Sequence, residues 1–388
     1  MTAVELDTFR RLLSSDGQRL LAEAADLPDD PLTAGSRLRE RTDPELAAAV
    51  LTQVALRRKA VAKFGPDAAL LYFTPDGLEQ ATRTTVSAHR AARMAAFGRS
   101  TVIDLGCGIG GDLIAMARAR LTAAGVDRDP VRVAIAHANL EALGLGGAVQ
   151  VADATGIDHS AFDLVFADPA RRSGRGRSFS PDDWTPSWSF VESLFARDAC
   201  VKVAPGIPHE LIPADVEGEW VSDEGEVKEA ALWAGGLATT RRRATVIAGG
   251  GLATLTDEDA VDGEVREMGE FLYEPDGAVI RAGLVTAVAA GVGGALIDAQ
   301  IAYVTSDSSY RTPFARSYRV VEELPFREKA LRQALRERGI GELTIKKRGV
   351  SVVPEDLRKR LALKGEGRAT IVMTRAADKG RCWRVEPF

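Results

Sequence analysis

The chain runs to 388 residues, 45% apolar and 27% charged, with a mean hydropathy of −0.07 and a net charge of −5. That balance excludes a disordered chain and a membrane-spanning array, and the length allows two or three domains. Three scattered cysteines exclude a disulfide framework and fit a cytoplasmic protein, and the four histidines lack metal-ligand spacing, so no metal is expected.

The opening "MTAVELDTFRRLL" is acidic and amphipathic, unlike a targeting segment. Residues 1 to about 95 read as helical. In "TDPELAAAVLTQVALRRKAVAKFG", Thr42 reads as the cap, Pro44 sits just inside the start, Glu45 completes a capping box and Gly65 ends the helix. In "YFTPDGLEQAT", Thr74 reads as a cap with Pro75 in the first turn. From Thr101 the pattern alternates. "TVIDL", "AAGVDRD", "AVQVADAT", "FDLVFADPA", "ACVKVAP" and "RRRATVIAG" read as strands, and "GDLIAMARARL" and "PVRVAIAHANLEALG" as helices between them. Such alternation predicts a parallel, doubly wound sheet. "GEVKEAALW", with Glu226 and Glu229, reads as a strand near a sheet edge, and Ala170–Trp188 as a long loop. The Gly-rich, then acidic run Ala248–Gly263 reads as a boundary. Uncharged Ala282–Ile297 is too short to span a membrane and reads as a buried helix and turn. Strand, helix, strand, helix, strand follow to the end. From Leu324 onward seventeen Lys/Arg face eight Asp/Glu, a net of +9 that leaves −14 for the rest. A basic end on an acidic body suggests a polyanion partner.

"VIDLGCGIGGD" (Val102–Asp112) sets Gly106, Gly108, Gly110 and Gly111 straight after a strand. Glycine there serves a tight turn or a close approach to a ligand. Gly106, Gly108 and Gly111 formally match a dinucleotide fingerprint. Asp104, just before them, favours a ligand bearing an ammonium over a pyrophosphate, and S-adenosylmethionine carries an amine and a sulfonium. Asp127, 23 residues on at the next strand end, suits the two ribose hydroxyls, and Asp153 after the third strand suits an adenine amine. Each acid alone also reads as a cap or solvated turn. Together they line one crevice of an open parallel sheet.

These motifs, with "VFADPA", resemble the successive motifs of class I S-adenosylmethionine-dependent methyltransferases, and are most similar in flavour to the trimethylguanosine synthase branch, including Asn139 in the helix after Asp127. "FTPDGLEQAT" resembles that branch's element over the methionine end of the cofactor. "YEPDGAVIRAG", "IKKRGV" and "LRKRLALKG" resemble a C-terminal THUMP-like domain. The resemblance implies an α/β fold: a doubly wound Rossmann-like methyltransferase sheet (71–250), a helical N-terminal domain (1–70) and a small, THUMP-like α+β domain (251–388). It implies a cofactor set of Thr74, Asp104, Gly106, Cys107, Gly108, Gly110, Asp127, Arg128, Asp153, Ala154 and Asp168.

In amino-methylating relatives the fourth strand ends in Asp-Pro-Pro-aromatic, where the acid and a backbone carbonyl hold the target nitrogen and the ring stacks on the base. Here Asp168 and Pro169 match, Ala170 replaces the second proline and Arg171 the aromatic, so Asp168, Pro169 and Arg171 are the catalytic candidates with the target atom open. Arg172, Arg175 and Arg177 with Trp184 and Trp188 could pair phosphates and stack bases. A solvated loop with packed tryptophans is the other reading. Cys200 reads as buried rather than nucleophilic, and His209 as a loop residue that could face the cleft. Lys346, Lys347 and Arg348, with Arg358, Lys359, Arg360 and Lys364, could form one RNA-binding patch. The expected function is methyl transfer from S-adenosylmethionine to RNA (tRNA or rRNA), at a base nitrogen. A small-molecule methyltransferase and a non-catalytic RNA-binding protein are the alternatives. No membrane partner is expected.

Overall fold

The computed structural model describes residues 5–27, 31–171 and 184–388. It divides into two compact units, Met1–Val216 with Ala231–Thr239, and Glu217–Ala230 with Thr240–Phe388.

The first unit opens with helices α1 (Leu6–Leu13), α2 (Ser15–Ala25), α3 (Pro31–Arg39) and α4 (Pro44–Phe64). The start of α4 corrects the expected capping box. Asp43, not Thr42, is the N-cap, accepting the Leu46 N–H at 3.2 Å with Pro44 directly after it. A carboxylate at that end also favours the helix dipole. Glu45 instead accepts the Thr8 hydroxyl and Asp43 pairs with Arg11, so both acids tie α1 to α4. Gly65, at φ 57°, ends the helix as expected.

There follow α5 (Pro75–Gln80), α6 (Thr84–Ala96), β1 (Thr101–Leu105), α7 (Gly111–Arg118), β2 (Thr122–Asp127), α8 (Pro130–Ala142), β3 (Ala148–Val151), β4 (Leu164–Ala167), β5 (Ala170–Arg171), β6 (Trp184–Thr185), α9 (Trp188–Leu194) and β7 (Ala199–Val203). Strands β7, β4, β1, β2 and β3 lie side by side in that order, each pair parallel. From β1 the chain winds outward through β2 to β3, then returns to the other side of β1 as β4. The crevice of a doubly wound sheet opens at that reversal, beyond the carboxyl ends of β1 and β4. The N-terminal helices share one apolar core with this sheet: Phe9, Val50, Phe73, Val102, Ile135 and Phe166 are fully buried in the same cluster.

In the second unit the first strands are β8 (Glu217–Asp223), β9 (Glu226–Ala234), β10 (Arg242–Ala248) and β11 (Gly251–Thr256). The first residues of β9 belong here beside β8. Its last residues belong to the first unit beside β7, so β9 is not the edge strand expected from Glu226 and Glu229. Strands β10 and β11 form a hairpin turned by Gly249 and Gly250 at φ 56° and 77°, the backbone a two-residue turn demands. The glycine run at Ala248 is thus a hairpin inside a unit rather than the expected boundary.

Then come β12 (Phe271–Pro275), α10 (Gly277–Ala282), α11 (Val285–Gly291), β13 (Ala295–Leu296), β14 (Val304–Ser306), β15 (Ala315–Leu324), α12 (Glu328–Glu337), β16 (Ile340–Arg348), α13 (Pro354–Leu361), β17 (Gly367–Ala376) and β18 (Lys379–Pro387). The sheet order is β13-β14-β12-β15-β18-β17-β16. Leu331 and Leu335 of α12 and Leu357 and Leu361 of α13 cover one face, over Leu343 and Ile371. Leu272, Tyr303, Tyr318 and Trp383 fill the other. Three strands separate β12 from β16, about 19 Å in a flat sheet. Yet Lys346 Nζ lies 2.6 Å from Glu274, so the sheet curls strongly. No helix of the described residues is long and apolar enough to cross a membrane. All three cysteines are buried, and none is in a disulfide.

Candidate active site

The carboxyl ends of β1 and β4 open on a cavity of about 230 Å3. Its floor is the glycine loop between β1 and α7. Gly108 turns at φ 54°, and its N–H donates to Asp127 Oδ2 at 3.0 Å. Gly110, at φ 83°, lies against α8, where a Cβ would come 3.1 Å from Ala136. The N–H groups of Gly106 and Cys107 both reach the Val126 carbonyl at 2.9 Å, which fastens the loop to β2.

Asp127, Arg128, Asp153, Ala154, Asp168, Gly106, Cys107 and Gly108 all line the cavity. Asp127 is half-buried at the end of β2, fixed by the Gly108 N–H and by the Asp129 N–H at 2.9 Å. Asp153 both caps a short turn and faces the cavity. It accepts the Thr155 hydroxyl at 2.7 Å and the Thr155 N–H at 2.9 Å, and these bonds hold its carboxyl below the usual range. Burial pushes the Cys107 thiol far up, so it packs beside the cavity as a neutral group.

Three expected cofactor residues lie behind the wall. Thr74 caps α5 through the Gly77 N–H at 3.0 Å, and Gly110 serves the turn. Asp104 is 1% exposed. Burial, then the charges of Asp112, Asp168 and Asp127, raise its pKa well above the usual carboxylate range, against the pull of Arg90. Asp104 Oδ1 has no partner among the described residues, and neither does buried Thr82 Oγ1 beside the cavity. An orphaned acid among acids suits a cationic ligand, so these residues fit S-adenosylmethionine, whose ammonium and sulfonium would relieve that repulsion.

The roof is α5, placed by Asn139, which the resemblance named, and by Gln53 and Lys63, which carry no sequence signal. Asn139 Oδ1 accepts the Tyr72 N–H at 2.7 Å, while its amide donates to Tyr72 O at 3.0 Å and Ile109 O at 2.9 Å. Gln53 accepts the Phe73 N–H at 3.0 Å and donates to Phe73 O at 2.6 Å. Lys63 donates to Leu78 O, Glu79 O and Ala81 O at 2.8, 2.6 and 2.8 Å. A side-chain amide can satisfy both groups of one extended residue, and both amides do so here.

Asp168 leaves the end of β4 and its Oδ2 accepts Lys202 Nζ at 2.6 Å. Lys202 was the missed residue with a readable signal: a lone cation in the apolar strand "ACVKV". Pro169 is buried behind Asp168, and Arg171 contributes backbone to β5, paired with Trp184 of β6. That ladder brings Thr185 and Pro186 into the cavity wall. Arg172, Arg175 and Arg177 lie outside the described residues. Trp184 and Trp188 are corrected. They are 3% and 7% exposed and meet edge to face at 5.2 Å, so their rings pack each other and offer no face to a base. Cys200 is fully buried on β7, and exposed His209 is not in the wall. Among the described residues no group of His, Cys, Asp and Glu could hold a metal ion.

The basic end is also corrected. Strand alternation sends Lys346 and Arg348 to one face of β16 and Lys347 to the other. Lys346 is spent on Glu274, and Arg348 stacks over Tyr303 at 5.3 Å. Arg358 and Arg360 pair with Glu355 and Glu328. Arg375, Arg381 and Arg384 find Asp298, Glu323 and Glu322, acids that precede Leu324, which is why a count from that residue overstates the free charge.

Residues 102–171 match a methyltransferase domain family, 315–387 a THUMP domain-like family and 5–60 a domain of unknown function. Two strains of Mycobacterium tuberculosis, CDC 1551 and H37Rv, carry an uncharacterized S-adenosylmethionine-dependent methyltransferase that is 40% identical over 332 residues, 82% of this chain and 90% of the relative. A methyltransferase crystal structure from Porphyromonas gingivalis W83 shares the fold, with a TM-score of 0.77 at 23% identity over 95% of this chain and 96% of that one. The chain belongs to the S-adenosylmethionine-dependent methyltransferases, and carries a THUMP-like domain at its C-terminal end.

Proposed function

We propose that this methyltransferase acts on RNA (a tRNA or rRNA), that it methylates a base nitrogen, and that it works in the cytoplasm. The observation that carries the reading is Asp168. It shares one cavity with Asp127 and Asp153, and its carboxylate is oriented by Lys202 through Oδ2, while Oδ1 takes no bond from the described residues. A free carboxylate oxygen there can accept a hydrogen bond from an exocyclic amine and turn its lone pair toward the methyl donor. S-adenosylmethionine supplies the electrophilic methyl when bound. Asp127 and Asp153 would hold its ribose and adenine, and Asp104 would answer its positive charge from behind the wall. Transfer then rests on proximity and alignment. Pro169 stiffens the turn after Asp168. The resemblance to trimethylguanosine synthases supports an amine acceptor, and the THUMP-like match supports RNA.

Label from methyl-tritiated S-adenosylmethionine should enter total RNA and not a metabolite extract, and Asp168→Ala should abolish it. Label in the metabolite extract alone would replace RNA with a small-molecule acceptor. A protein that binds RNA and cofactor but transfers no label would be a non-catalytic binder.

A further inference from the structure

The stretch "YEPDGAVIRAG" (Tyr273–Gly283) and the strand end "IKKRGV" (Ile345–Val350) take no part in the methyl-transfer cavity. In the second unit they meet. Glu274, Asp276 and Gly277 from the first, Arg348 from the second, Arg316 of β15 and Glu224 of the β8–β9 turn line a cavity of about 440 Å3. Register sets Arg316 directly across from Glu274 on the neighbouring strand. Arg316 lies against Gly225, where a Cβ would sit 3.1 Å from its Nη2 and where φ of 79° already favours glycine. The Arg348 guanidinium is steadied over the Tyr303 ring.

The acids of this cavity are engaged. Glu274 takes Lys346 at 2.6 Å, Asp276 takes the Ala278 N–H at 2.8 Å, and Glu224 takes the Gly249 N–H at 2.9 Å. Neither Arg316 nor Arg348 has a carboxylate within ion-pair distance among the described residues, although Arg338, Arg360, Arg375, Arg381 and Arg384 of the same unit all do. Two planar guanidiniums left over in one cavity match the fork geometry that binds phosphate oxygens in pairs. We propose that this cavity binds a phosphate group of the RNA acceptor through Arg316 and Arg348. The proposal rests on the RNA reading above. A phosphate on a small nucleotide presents the same chemistry, so the test separates the two sources.

The full chain is titrated with a short fluorescein-labelled single-stranded RNA by anisotropy over a potassium chloride series, and with inorganic pyrophosphate by calorimetry. Arg316→Gln and Arg348→Gln should each weaken RNA binding about tenfold at low salt and cut the slope of log affinity against log salt by about 0.7, one phosphate contact each. S-adenosylmethionine affinity should not change, and an unchanged urea-unfolding curve certifies folding of the second unit. Exposed Arg316 keeps the test intact if Arg348→Gln misfolds. RNA binding that Arg316→Gln leaves at the parent affinity and slope would overturn the site while keeping RNA as acceptor. Pyrophosphate binding lost in Arg316→Gln, with no RNA binding by the parent, would keep the phosphate site and overturn RNA as its source.

Discussion

Replacing Asn139 by leucine tests how the roof of the active site is held. Asn139 is 1% exposed and makes three hydrogen bonds, to Tyr72 N–H, Tyr72 O and Ile109 O. Leucine keeps the branched heavy-atom shape of the side chain, so the loss is mainly polar. Three buried backbone groups lose their partner, and at roughly 1–3 kcal/mol each the total is on the order of 3–9 kcal/mol. That is a large part of the roughly 5–15 kcal/mol that holds a typical domain. The effect also reaches the ligand, because Tyr72 leads into α5 and Ile109 belongs to the glycine loop. Urea unfolding should show the loss of stability, and calorimetric titration should show S-adenosylmethionine binding weakened about tenfold, as when a held loop must be ordered on binding. Asn139→Asp separates polar loss from packing. Aspartate has the same shape but cannot donate to the two carbonyls, so it should cost at least as much as leucine. An Asn139→Asp protein with parental stability and affinity would refute the clamp.

Asp127→Ala should weaken S-adenosylmethionine binding by about 1.5–3 kcal/mol, the range for a charged hydrogen-bond partner, and an unchanged dissociation constant in calorimetry would remove Asp127 from the site. Asp168→Ala should keep most cofactor affinity and lose kcat, since its contact is made in the transition state. Lys202→Met should lower kcat less, with partial recovery in Lys202→Arg, and full activity in Asp168→Ala would move the reaction centre elsewhere. For Asp104 the folded pKa is raised above the unfolded value, so its stabilisation is complete below about pH 4 and is lost as pH rises toward the folded pKa. Asp104→Asn should therefore remove part of the stability loss of the cofactor-free protein over that window. Cationic S-adenosylmethionine should bind the ionised form, so parental affinity should rise with pH and binding should release a proton, read as a buffer-dependent calorimetric enthalpy. A buffer-independent enthalpy would mean that Asp104 does not answer the ligand's charge.

The parallel sheet was legible because each of its strands is a short apolar run closed by an acid or a turn, and the helix after β2 opens on Pro130. Thr74 and Pro75 likewise mark the start of α5 before the sheet. The wall acids Asp127 and Asp153 were legible for the same reason, since a strand end fixes where its next residue points. Residues that act across distance were not. Gln53, Lys63 and Asn139 reach the 72–81 segment from α4 and α8, and nothing local in their helices says so. Strand β18 was missed because Cys382 faces one side of the sheet and Trp383 and Val385 the other, with charged residues between, so no one-sided alternation shows, and only the partner strands β15 and β17 make it a strand. The basic end could not be read as one patch from the sequence, because charge was counted along the chain while ion pairs form across the curled sheet. Glu274 lies 72 residues from Lys346.

The ambiguity of the glycine loop is resolved by charge rather than by glycine spacing. Gly106, Gly108 and Gly111 permit a dinucleotide, and the backbone of the loop does not distinguish the two ligands. The acids do. Asp112, Asp168 and Asp127 each push the pKa of buried Asp104 upward, and Arg90, which pairs with Asp112 at 2.5 Å, is the cation that opposes them. A pyrophosphate would add negative charge to this set at close range and in low dielectric, where repulsion is strongest. A sulfonium and an ammonium subtract from it. The same four carboxylates that make the ligand-free cavity costly therefore make it selective, and the cost is what a cationic methyl donor recovers on binding.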